Sequence, residues 1–145
     1  MISRKDKEMS GIIIPFGYAI PDAMPMLDSL MQQSDAYLVD IRYRPFAGFY
    51  HQGFSLDRLL AKFGNRYVWI PELGNINHKE KIGPIVLADP DVGLARLQKG
   101  LELGYTLILM CACKYYEKCH RRMVCEKMEN AEIVFPPTGD SSLLS

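Results

Sequence analysis

A chain of 145 residues, 48% of them apolar, is long enough to fold as one domain around a core of its own. Seventeen Lys and Arg balance seventeen Asp and Glu, so no global positive field draws the chain to nucleic acid or a membrane, although charge can still segregate by face. The charged N-terminus lacks the apolar segment of a secretory signal, and the run from Ile12 to Ile20, broken by Pro15 and Gly17, is short for a membrane span. A cytoplasmic protein with reduced thiols is expected.

Residues 1–10 read as a flexible tail, 11–135 as the domain and 136–145 as a second tail. Gly11 to Ile14 has the β-branched character of a buried first strand. Asp22 can cap a helix that tolerates Pro25 in its first turn and that places Met24, Leu27, Leu30 and Met31 on one face. Ala36 to Ile41 is a second strand, and the loop after it, from Arg42 to Gly53, is rich in proline, glycine and aromatics. Ser55 caps a helix with Leu56, Leu59, Leu60 and Phe63 inward, and Gly64 stops it. Arg66 to Ile70 is a third strand, turned out by Pro71 to Gly74. The charged, irregular stretch from Asn75 to Ala88 reads as a mobile loop or lid.

Asp89-Pro90 marks a helix start, with a capping carboxylate and then proline at the first helical position. Leu94, Leu97 and Leu101 form that helix's core stripe. Thr106 to Met110 is a buried strand, Glu117 to Met128 a last helix and Ala131 to Phe135 a short final strand. Strands alternating with helices predict an α/β fold: a Rossmann-like three-layer domain with a mostly parallel sheet of about five strands and helices on both faces. Ligands of such sheets bind outside the carboxyl ends of the strands. That rule selects Asp40 and Arg42, Pro71 to Gly74, and Cys111 to Arg122.

At these positions the chain resembles the uncharacterised bacterial and archaeal family catalogued as "domain of unknown function 488". The resemblance rests on three motifs: Val39-Asp40-Ile41-Arg42 with Pro45; Tyr67 with Pro71 and Leu73-Gly74; and Leu109-Met110-Cys111 with Cys119-His120-Arg121. It covers about Gly11 to Phe135 and implies a small Rossmann-like domain without naming a reaction. Relatives often carry a histidine and a hydroxyl near the glycine after the first strand, an acidic residue after the Cys111 position and a histidine after the last strand. Here those places hold Pro15 to Ala19, Ala112-Cys113 and Pro136-Pro137.

The leading expectation is recognition, and processing, of a phosphate-bearing ligand such as a nucleotide or nucleic acid. Arg42 and Arg121 would hold the anion, because guanidinium forks grip phosphate oxygens. His120, whose unperturbed pKa is about 6.5, would be the acid or base, oriented by Asp40. Cys119 beside His120 and Arg121 is the candidate nucleophile, and Cys111, Gly74 and Tyr67 complete the binding residues. No Cys-x5-Arg loop of the rhodanese or Cys-phosphatase kind is present.

The competing class is a non-catalytic binding module, with Arg42, Tyr43, Arg44, Phe46, Phe49, Tyr50 and His51 interleaving cations and rings on one loop. Lys114, Tyr115, Tyr116, Lys118, Arg121 and Arg122 do the same on another. Cys111, Cys113, Cys119 and His120 would suit zinc, or a Cys113–Cys119 pair could cycle redox state. Alternation along a strand and a 100° step along a helix argue against all four converging, so no metal set is assigned and no cofactor is named. Cys125 falls on the core stripe of the last helix.

Overall fold

The computed structural model describes residues 11–45, 49–77, 84–112, 116, 119–128 and 130–136. Both predicted tails, apart from Pro136, lie outside the described residues. So do Phe46, His78, Cys113, Lys114, Tyr115 and Lys118, with the charged centre of the expected lid.

Five strands, β1 (Ile12–Gly17), β2 (Ala36–Asp40), β3 (Tyr67–Trp69), β4 (Thr106–Cys111) and β5 (Glu132–Ile133), form one sheet in the order β3-β2-β4-β1-β5. Every pairing is parallel. Helices α1 (Ala23–Leu30), α2 (Leu56–Phe63), α3 (Pro90–Glu102) and α4 (His120–Glu126) make the crossovers. The expected single-domain α/β architecture is the one observed.

Strand alternation divides the core into two layers. Ile14, Phe16, Leu38, Ile108 and Met110 pack on Ala23 and Leu27 of α1 and on Leu59 of α2. Ile13, Val39, Leu107, Leu109 and Cys111 pack on Leu97 and Leu101 of α3 and on Val124 and Cys125 of α4. Chain crossing from β1 and β2 therefore leaves on one face, and from β3 and β4 on the other. Neighbours β1 and β4, like β4 and β2, send their connections to opposite faces, the arrangement in which the carboxyl ends of open α/β sheets take ligands.

Several boundaries differ from the sequence expectation. β1 runs through Pro15 to Gly17. Within β1 the even-numbered residues bond β4, as Ile12 and Tyr18 N–H donating to Tyr105 and Cys111 carbonyls show, while Val134 N–H donates to Ile13 on the β5 side. Pro15 is odd-numbered, so its missing N–H costs the β4 ladder nothing. Asp22, Ser55 and Asp89 stand at their helix starts, but none makes a side-chain cap bond, and Asp22 is left-handed at φ 59°. The last helix begins at His120 rather than Glu117, because Cys119 is extended and acts as its cap.

The stretch expected as a lid is pinned at its described ends. Asn75 bridges Leu87 in antiparallel fashion, Ile76 N–H donates to the Val86 carbonyl, and Asn75 Oδ1 accepts from Asn77 and Val86 N–H. Among the described residues, no helix is long and apolar enough to cross a membrane.

Candidate functional site

Asp40, Arg42, Cys111, Cys119, His120 and Arg121 all lie at the carboxyl ends of β2 and β4, and each is at most 5% exposed. They form two clusters on opposite faces of the sheet. Asp40 and Arg42 share the parity of Leu38 and turn to the α1/α2 side; Cys111 shares the parity of Leu109 and turns to the α3/α4 side.

The first cluster is an ion pair with phenolic support. Arg42 Nε donates to Asp40 Oδ1 at 2.8 Å and Arg42 Nη2 to Oδ2 at 2.5 Å, while the Arg42 backbone N–H reaches Oδ1 at 3.1 Å. Tyr67 Oη donates to Asp40 Oδ2 at 2.5 Å, and Arg42 Nη1 donates to Tyr18 Oη at 3.3 Å. Trp69 Nε1 donates to the Arg42 carbonyl at 2.8 Å. Burial alone would lower the Arg42 pKa, but the hydrogen bonds and charge of Asp40 reverse this and hold it above the ordinary arginine value. Burial raises the Tyr67 phenol, and the Asp40 charge raises it further. Tyr18 is raised by burial, partly offset by Arg42. Its ring stacks on Phe54 at 4.6 Å and meets His51 at 5.3 Å.

The second cluster is built on sulfur. Cys111 ends β4, and Cys119 is the extended residue before α4, at φ −117° and ψ 152°. Their sulfurs are 2.7 Å apart. Cys119 Sγ accepts from the backbone N–H and from Nε of Arg121, each at 3.4 Å, so the thiol does the work usually given to a serine or aspartate cap. His120 Nδ1 lies 3.6 Å from the same sulfur, and its Nε2 is 2.8 Å from the Ile41 carbonyl. Ile41 N–H donates to Met110, so the ladder's next bond would bring Ala112 N–H to the Ile41 carbonyl. β4 stops at Cys111, and the imidazole supplies the donor instead. A carbonyl only accepts, so Nε2 carries the proton and, in the neutral ring, Nδ1 turns its lone pair to Cys119.

Asp40 thus bonds Arg42 and Tyr67, and the Ile41 backbone orients His120 in its place. The expected Arg42–Arg121 clamp also divides: Arg42 is bound to Asp40 and Tyr18, while the Arg121 guanidinium lies at the thiols, 5.9 Å from the Tyr116 ring centre. Tyr67 serves Asp40. Gly74 has a backbone role, because a Cβ there would fall 2.3 Å from both N and Cα of Tyr43. Arg44 lies over Tyr43, leaving the first basic-aromatic loop without its expected Arg42 surface cation. Spacing predicts that Cys119 and His120 diverge as two helical positions; the extended cap removes that restriction, and Cys111, Cys119 and His120 meet. Cys113 lies outside the described residues.

Cys125 belongs to the core, as expected. Burial pushes its thiol up to about 11, against a partial lowering by a hydrogen bond with Tyr116. With its folded-state value above the ordinary 9.0, the stability it contributes is complete below about pH 9 and is lost as pH climbs toward 11. Urea unfolding at neutral and strongly alkaline pH should therefore show a larger alkaline loss in wild type than in Cys125→Ala. Equal losses would place the Cys125 thiolate in a polar environment.

No protein-family model, curated protein or solved structure matches the chain.

Proposed function

We propose that the protein is a redox-active dithiol, with Cys111 and Cys119 cycling between paired thiols and a disulfide in exchange with a small-molecule disulfide. The observation that carries this reading is the 2.7 Å separation of two buried sulfurs delivered by different elements, a strand end and a helix cap. Cys119 is the attacking sulfur, since two Arg121 N–H groups stabilise its thiolate. It bonds to one sulfur of the incoming disulfide and expels the other half as a thiolate, which takes up the released proton. Cys111 then displaces the second half, leaving a Cys111–Cys119 bond and two small thiols. Burial limits the partner to a small molecule. A reducing cytoplasm would return the pair to thiols.

The resemblance to the "domain of unknown function 488" family is part of this proposal, since its Cys111 and Cys119-His120-Arg121 motif supplies the cluster. An anionic ligand, including the phosphate-bearing class, would meet Arg121 at the thiols rather than Arg42.

Oxidised glutathione and peptide mass mapping test the reading. The expected product is a single Cys111–Cys119 bond, reversed by reduced glutathione. Cys111→Ser should instead accumulate a mixed disulfide on Cys119. Recovery of both residues as free thiols under conditions that oxidise glutathione, or bonding of Cys119 to another cysteine, would remove the proposal.

A further inference from the structure

We infer that Cys111, Cys119 and His120 form a binding site for a soft divalent cation of the zinc class. This deepens the dithiol reading, because it concerns the reduced state of the same sulfurs. The three ligand atoms lie within 4.8 Å of one another, and all three residues are buried.

The ligand chemistry fits. Thiolate and imidazole are the donors that zinc-class ions select, and two cysteines with one histidine make a three-ligand set that leaves a fourth position for water or substrate. Tetrahedral bonds of about 2.3 Å to sulfur and 2.0–2.1 Å to nitrogen put S and N ligands roughly 3.5–3.6 Å apart. The Cys119 Sγ–His120 Nδ1 distance is 3.6 Å. The two sulfurs, at 2.7 Å, must part by about 1 Å to reach the corresponding S–S spacing. Rotation about the Cα–Cβ bond of Cys111, at the end of its strand, provides that movement.

The surroundings fit independently. Metal-bound histidines characteristically donate their second ring N–H to a carboxylate or backbone carbonyl, which fixes the tautomer. His120 does this through Nε2 to Ile41, 2.8 Å away, leaving Nδ1 as the ligand atom. The N–H groups of Arg121 on Cys119 Sγ are the outer hydrogen bonds that a metal thiolate takes. Charge is compensated as well: on binding, each thiol releases a proton, and the two thiolates neutralise a doubly charged cation beside the Arg121 guanidinium already present at Cys119. A compensated ion is far less costly to bury than a lone one.

Reduced, chelator-treated protein titrated with Zn²⁺ alone should bind about one ion per chain. Co²⁺ should give the intense thiolate-to-metal absorption of a tetrahedral site. Cys119→Ser and His120→Ala should each weaken Zn²⁺ binding at least about 100-fold, while Cys125→Ala should bind as wild type. In wild-type protein, which needs no altered fold, Zn²⁺ should shield Cys111 and Cys119 together from alkylation. Failure to bind stoichiometrically, absence of the thiolate band, or alkylation of both thiols at saturating Zn²⁺ would overturn the site. Reversible glutathione oxidation without Zn²⁺ binding would reject the metal and keep the dithiol. Zn²⁺ binding without disulfide formation would do the reverse.

Discussion

Replacing Asp40 by alanine is expected to destabilise the protein by about 3–5 kcal/mol, enough to lower its melting temperature by roughly 10 °C or more. Asp40 is fully buried and accepts from three Arg42 N–H groups and the Tyr67 hydroxyl. Its removal strands a buried guanidinium, and stranding a charge costs more than losing the attraction itself. Tyr67→Phe, which deletes one hydrogen bond to the carboxylate, should cost about 1.5–3 kcal/mol. The double change Asp40→Leu with Arg42→Met should lose less than Asp40→Ala alone, because neither charge is left behind. Denaturant unfolding of the four proteins decides the matter. An Asp40→Ala protein as stable as wild type would show that the pair is not a structural clamp and would return Asp40 to the list of reacting groups.

Gly74→Ala should cost about 2–4 kcal/mol, although it adds only a methyl group and Gly74 has an ordinary φ of −80°. The new Cβ would sit 2.3 Å from Tyr43 N and Cα. Backbone atoms cannot swing aside as a side-chain tip can, so the segment after β2 must move. Trp69 should report that movement, because its indole N–H is bound to the Arg42 carbonyl and it is the chain's single tryptophan. A shift in emission together with a lower unfolding midpoint is expected. Unchanged emission and stability would mean that the two turns are not pressed together, and would restore a ligand-facing role for Gly74.

The fold was legible because its signals were local and repeated. Buried runs such as Leu107 to Met110 alternated with leucines at helical spacing in α3, which dictates parallel strands with crossovers. The placement of Asp40, Arg42, Cys111 and the Cys119-His120-Arg121 run at strand ends was legible as well, since the alternation of strands and helices puts them there. Their grouping was not, for two physical reasons. Asp40 and Ile41 are adjacent in sequence yet face opposite layers, so the carboxylate that looked suited to His120 points away from it. Cys119 looked like a helical residue, but its extended conformation frees its sulfur from the helix's angular schedule. Gly74 and Tyr67 were found by position while their jobs, a close backbone approach and a hydrogen bond to Asp40, depend on partners distant in sequence.

The proline in β1 has a consequence for how the sheet tolerates so short a partner strand. β5 pairs only with Ile12 and Ile13, yet Pro15, Phe16 and Gly17 beyond that pairing are all buried. A buried backbone donor must find an acceptor or carry the cost of its lost water. Pro15 brings no N–H to the first position past the pairing, so nothing is left there to satisfy. Exchanging Pro15 for valine would keep the β4 ladder intact but add a buried donor where β5 has already ended, at a cost of about 1–3 kcal/mol.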